Sequence, residues 1–220
     1  MIPANPCKLV DRNATRSRER VLSERELPLF WAAFDNAGAA GVALKLILLT
    51  GQRPGEVTHM RREHIEAGWW TLPGEPIEAL GWPGTKNGVT HRVWIPEPAQ
   101  RLIATNSSEG IVLSGLRVQL DATLRKICAG LGIADKVTPH DLRRTHGTMI
   151  TGLGFGRAAM NRIQNHREGG IGDVYDRYDY STQNKTIMEA VATRIMALVD
   201  GQPQSSNVSP IQARRAIAVP

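Results

Sequence analysis

The stretch around Trp69 to Ile95 constrains the fold of this chain most, because it is rich in Gly, Pro and Trp and interrupts a sequence otherwise patterned for helices. Two strand-like pieces, Trp69 to Leu72 and Arg92 to Ile95, lie on either side of Lys86-Asn87-Gly88. Asn-Gly is a strong turn signal, so the two pieces are expected to pair antiparallel. A small sheet set within helices predicts a mainly α chain with a small antiparallel β-sheet, an α+β fold.

The helical segments carry their own boundary signals. Ser23 followed by Glu26 makes a capping box, and Leu27, Phe30, Trp31 and Phe34 then recur at helical spacing. Pro28 lies near the start of that helix and predicts a bend or a delayed start. A second helix is read from Ala39 to Leu49, stopped by Thr50-Gly51, and a shorter one begins around Pro54. Helical patterning returns at Pro98 to Thr105, Arg117 to Leu131, Pro139 to Thr151, Arg157 to Asn165 and Lys185 to Val199. Residues 1–20 lack an apolar stripe and read as a basic linker, 21–200 as one folded domain, and 201–220 as a flexible tail rich in Gln, Ser and Pro.

Charge narrows the partner. Lys and Arg number 27 against 21 Asp and Glu, a net charge of +6 that suits a polyanion such as nucleic acid. Cys7 and Cys128 form no CxxC pair, which argues against a zinc cluster or a disulfide framework. The apolar run Val42 to Leu49 is interrupted by Lys45 and is far shorter than the roughly 20 residues a bilayer requires. A cytoplasmic, DNA-associated protein with no membrane partner is expected. His59 and His64 are wrongly spaced for an HExxH zinc site, and no Walker lysine follows Gly152, Gly154 and Gly156. Neither a metal nor a cofactor is expected.

Four short segments carry the chemistry: Thr50 to Glu56 (TGQRPGE), Gly84 to Gly88 (GTKNG), His140 to His146 (HDLRRTH), and Asn165-His166 running on to Val174-Tyr175. Each is weak evidence alone, since an HxxR pair arises often by chance on a basic helix edge. Their order resembles the tyrosine recombinase (phage integrase) family, over roughly Val21 to Asp200. That family uses two arginines, a lysine in a hairpin, two histidine-type positions and a tyrosine nucleophile. The positions here that match are Arg53, Lys86, His140, Arg143, His166 and Tyr175, with Glu56 in a supporting role.

The resemblance implies site-specific cleavage and rejoining of DNA through a 3′-phosphotyrosine intermediate. The chemistry is physically coherent, because a phosphodiester in its five-coordinate state gathers negative charge that planar guanidiniums contact bidentately. Arg53 and Arg143 suit that task, and His140 and Arg143 stand at i and i+3 on one helix face. Tyr175 lies nine residues after His166, the family's usual interval, which selects it over Tyr178 and Tyr180 as nucleophile. Lys86 would protonate the departing 5′ oxygen, His166 would bond a non-bridging oxygen, and His140 would shuttle the tyrosine proton or hold the phosphate. All six are expected in one basic cleft.

The implied partners are double-stranded DNA, further protomers in a tetrameric synapse, and DNA-bending accessory proteins. Two departures qualify the match. The family's N-terminal clamping domain has no counterpart before Val21, and Gln164-Asn165-His166 replaces the more usual Leu-Gly-His. Asn-His resembles the branch of genomic-island and prophage integrases. The first departure keeps open a DNA-binding regulatory or truncated recombinase without cleavage activity, and a type IB topoisomerase with similar residues is the third reading.

Overall fold

The computed structural model describes residues 19–106, 117–166 and 179–201, so nearly all of the expected linker and tail lies outside it. Helices α1 (Glu26–Asp35), α2 (Gly38–Thr50) and α3 (Pro54–Thr58) precede the sheet. Helices α4 (Glu97–Asn106), α5 (Arg117–Gly130), α6 (Pro139–Gly152), α7 (Gly156–Ile163) and α8 (Ser181–Val199) follow it. The chain is mainly helical with a small antiparallel sheet, as its patterning predicts.

The Ser23–Glu26 box forms as read. The Glu26 carboxylate accepts the Ser23 hydroxyl at 2.8 Å and the Ser23 N–H at 2.9 Å. Pro28 is the third residue of α1, in the first turn, where helical N–H groups lack partners anyway. Its missing donor therefore needs no delayed start.

Helix α2 is the centre of the core. Its sequence, GAAGVALKLILLT, is apolar around the whole circumference, and it packs against α1, α3, α4, α5, α6 and α8. Leu44, Leu46, Ile47, Leu48 and Leu49 are fully buried, and each contributes on the order of 1.5–3 kcal/mol by leaving water. The one charge in this helix, Lys45, runs its stem beside Trp31 and places its ammonium 4.5 Å from that ring and against the exposed Asp35 carboxylate. Cys128 is a free, buried thiol of α5.

The sheet has three antiparallel strands in the order β1 (Ile65–Glu66), β2 (Trp69–Leu72), β3 (His91–Trp94). Pairing Trp70 with Val93 and Leu72 with His91 turns Trp70, Leu72 and Val93 into the core. Strand β3 begins and ends one residue earlier than the sequence suggested. The larger difference is the connection. The turn at Lys86-Asn87-Gly88 does form, with the Gly88 N–H on the Thr85 oxygen at 3.1 Å, but it sits inside a long loop, residues 73–90, rather than joining the strands directly. Pro73, Pro76 and Pro83 lack the donors a ladder needs, which accounts for the loop.

The end of α2 is fixed by a contact between two of the motif segments. Gly51 closes the helix in the left-handed region (φ 66°), its N–H on the Ile47 oxygen at 2.9 Å. A Cβ there would lie 2.3 Å from the His146 ring. His146 is wholly buried and donates from Nδ1 to the Leu48 oxygen at 2.9 Å. Burial pushes its pKa down to about 4, so it sits in the core as a neutral ring. Helices α2 and α6 are thus drawn together where Arg53 and Arg143 leave them.

Gly51→Ala should lower the unfolding free energy by about 2–4 kcal/mol, combining left-handed strain with overpacking. Urea denaturation measures this. Adding His146→Ala should remove the overpacking part only, giving a favourable coupling in a double-mutant cycle; simple additivity would mean the two residues do not collide.

Candidate active site

Three consecutive backbone carbonyls, those of Ile163, Gln164 and Asn165, form the floor on which the candidate site is assembled. They lie at the end of α7 and in the turn after it. Each is taken by side chains from a different part of the chain.

The Ile163 oxygen accepts from Gln52 Nε2 at 2.9 Å and from His91 Nε2 at 2.9 Å. Gln52 also donates to the Thr50 oxygen, which ties the segment bearing Arg53 to the end of α7. Burial holds the His91 pKa below the ordinary histidine value, consistent with a neutral ring that donates from Nε2. The Gln164 oxygen accepts from Arg143 Nη2, while the Gln164 side chain donates back to the Arg143 oxygen at 2.8 Å. The Asn165 oxygen accepts from Arg53 Nη2 at 3.1 Å.

Arg53 is the N-cap of α3, with Pro54 at the first helical position. The buried Glu56 holds it at both ends, accepting the Arg53 N–H through Oε2 at 3.0 Å and Nη1 through Oε1 at 3.0 Å. Glu56 thereby aims the guanidinium across α3 toward the α7 turn. Arg143 comes from the first turns of α6, which Thr138 and Asp141 cap reciprocally: Thr138 N–H and hydroxyl both reach Asp141 Oδ2 at 2.8 Å. Asp141 also accepts Arg144 Nη1 at 2.7 Å, so its place in the motif is structural. Arg143 is nearly buried and donates from Nη1 to the Gly51 oxygen at 2.8 Å.

His166 meets Arg143 directly, with Nε2 3.0 Å from Arg143 Nη2. A guanidinium has no acceptor, so Nε2 must accept and the ring proton must sit on Nδ1. Partial burial, then the fields of Arg143, Arg53 and Lys86, push the His166 pKa down to about 4. The ring is neutral and keeps one N–H to offer. Burial and the neighbouring Arg53 also push Arg143 below the ordinary arginine range, with Glu56 opposing. Such a guanidinium stays protonated at neutral pH. Two arginines and a nearby lysine against one carboxylate leave a surplus of positive charge that an anion would offset.

His140 stands on the α6 face one turn before Arg143 and is open to solvent on one side. Partial burial and then the charges of Arg143 and Arg144 lower its pKa. Lys86 lies exposed on the 73–90 loop and contributes to the field on His166. Tyr175 and Tyr178 lie outside the described residues. Tyr180 is described, just before α8, with the Arg162 guanidinium stacked 3.9 Å from its ring. The structure thus brings Arg53, Arg143, Glu56 and His166 into one hydrogen-bonded cluster, with His140 and Lys86 at its rim. Gln52, Asn87 and Gln164 lie inside segments whose motif, turn or departure from pattern is visible in the sequence, but none of them is marked there as part of the site, and nothing local marks His91, which acts across the fold.

No protein-family model matches this sequence, and no curated protein sequence does. Solved structures do share its architecture, which is the catalytic-domain fold of tyrosine recombinases. A XerH site-specific recombinase bound to difH substrate in a pre-cleavage complex superposes with a TM-score of 0.54 at 15% identity, over 79% of this chain and 55% of that one. A XerA recombinase gives 0.53 at 18% identity, over 84% and 66%. XerH in a post-cleavage complex with palindromic difH gives 0.53 at 14% identity, over 79% and 53%. The chain spans between half and two thirds of the length of these proteins.

The cluster predicts an unusual titration. In an NMR pH series His166 should remain neutral down to about pH 4, well below an ordinary histidine, and inorganic sulfate should raise its pKa by offsetting the two guanidiniums. A value near 6.5, unmoved by sulfate, would separate His166 from the arginines.

Proposed function

We propose that this chain breaks and rejoins one strand of DNA at a time through a 3′-phosphotyrosine intermediate, as the catalytic part of a tyrosine recombinase. The observation that carries this reading is the pair Arg53 and Arg143, held by adjacent carbonyls beside a neutral His166. Their remaining N–H groups suit the non-bridging oxygens of one phosphate, where negative charge develops during transfer. The fold shared with XerH and XerA, in which the XerH complexes hold difH substrate, supports DNA as the polyanion.

The reaction needs little else. The Tyr175 oxygen attacks phosphorus and its proton passes to His140. The bond from phosphorus to the 5′ oxygen breaks, and Lys86 gives that oxygen its proton. His166 donates from Nδ1 to a non-bridging oxygen. The phosphoester bond moves to tyrosine without being lost, so the attack of a new 5′ hydroxyl reverses the step and reseals a strand. Glu56 keeps Arg53 in line without touching the phosphate. Recombination between two sites would require further protomers on DNA, in a tetrameric synapse. A kinship with genomic-island or prophage integrases rests on Asn165-His166 alone, whereas the structural relatives above are Xer recombinases.

DNA held mainly through phosphates should be released by salt. Binding by this chain should weaken by orders of magnitude between about 50 and 200 mM salt, as expected when several phosphate contacts each displace a counterion. Fluorescence anisotropy across that range measures the slope, and a flat line would rule out phosphate-dominated binding.

Covalent capture on a nicked DNA substrate tests the chemistry. Tyr175→Phe should abolish the adduct and leave non-covalent binding almost unchanged, while Arg143→Ala should weaken both. Binding by the unaltered chain without any capture would favour a regulatory DNA-binding protein, and relaxation of any supercoiled plasmid would favour a topoisomerase. An adduct that survives Tyr175→Phe but not Tyr178→Phe or Tyr180→Phe would move the nucleophile along the segment.

A further inference from the structure

We propose that Asn87 and Asn165 act together as a latch that holds the 73–90 loop against the arginine-bearing turn and so positions Lys86. The inference rests on the reading of Lys86 as the proton donor to the leaving oxygen.

Asn165 has a φ of 51°, one of two non-glycine residues in that region among those described. Glycine adopts this conformation with least strain, and asparagine is among the few residues that tolerate it. A side chain kept at such a position needs a contact that glycine could not make. Asn165 has one. Asn87 Nδ2 donates to Asn165 Oδ1 at 2.9 Å, and Asn165 Nδ2 donates back to Asn87 Oδ1 at 3.2 Å. Two reciprocal amide bonds fix both distance and orientation, as one bond would not.

The rest of Asn87 is bound into its own loop. Its Oδ1 also accepts the Val89 N–H at 3.3 Å and faces the Thr85 hydroxyl at 3.1 Å. The Asn165 backbone oxygen meanwhile accepts Arg53. One short relay therefore runs from the turn beside Lys86, through the amide pair, to a guanidinium of the phosphate site. Among the described residues, the hydrogen bonds joining the 84–90 tip to that turn all run between Asn87 and Asn165. Lys86 itself is exposed, on a tip tied into its own loop by the Thr85 N–H on the Gly74 oxygen at 2.9 Å and the Gly74 N–H on Thr90 Oγ1 at 3.1 Å. The latch adds the hydrogen bonds that fix this tip against the arginine-bearing turn.

Asn165→Gly is the sharpest probe, because it preserves the backbone conformation while deleting the latch, and Asn87→Ala deletes it from the other side. Two measurements on this chain separate the questions. Amide hydrogen exchange at residues 85–90, without DNA, should accelerate in both variants; unchanged exchange would show that no latch exists. Single-turnover covalent capture should slow by about tenfold on ordinary DNA, a part of the roughly hundredfold or more that a general acid supplies. On a strand with a bridging 5′ sulfur, which departs without a proton, the variants should match the unaltered chain, as should Lys86→Ala. Equal slowing on both substrates would overturn the proposal by placing Asn165 in support of the arginines instead. If the unaltered chain captures neither substrate, the proposed function fails, and the exchange measurement still decides whether the latch holds the loop.

Discussion

The structure depends most on how the turn after α7 is held. Its three successive carbonyls would be costly to bury without partners, and each finds one on a side chain brought from a distant segment. The same bonds serve two ends. They stabilise an irregular piece of backbone, and they fix Arg53 and Arg143 so that the two guanidiniums cannot swing apart. A cation held by a carbonyl remains a full charge, since the carbonyl carries only a dipole. The arrangement therefore orients positive charge without cancelling it, and Glu56 is left as the one carboxylate partner of Arg53 in the cluster.

That electrostatic surplus adds to burial in lowering the pKa of His166. His166 is kept neutral by partial burial and then by the charges of Arg143, Arg53 and Lys86, which leaves its Nδ1 proton free to be donated. His146, three residues after Arg143 on α6, is neutral for another reason: it is sealed in the core under Gly51. Two histidines near one motif thus have different tasks, one structural and one at the site. The distinction comes from burial and neighbours, which residue type does not reveal.

Much of the architecture was legible in local sequence. The Ser23–Glu26 cap, the helix read from Ala39 to Leu49 and the one starting at Pro139 rest on neighbouring residues, and each formed within a residue of where the pattern put it. The sheet was legible as two paired strands but not in its connection, because Asn-Gly reports a turn without reporting how far the strands lie from it. Strand β1 pairs through only two residues, too few to leave a pattern.

By itself the sequence determined the helical class, the core helix and the residue types of the candidate site, since periodicity, caps and motif spacing are properties of short windows. It also marked Asn165 as out of pattern without a reason. Only the tertiary structure decided that Gln52 and His91 meet at one carbonyl, that Glu56 aims Arg53, and that Asn87 answers Asn165 across the fold. These are bonds between residues far apart in the chain. Their existence depends on how α2, α6 and α7 pack, and packing is settled by the whole core at once rather than by any window of it.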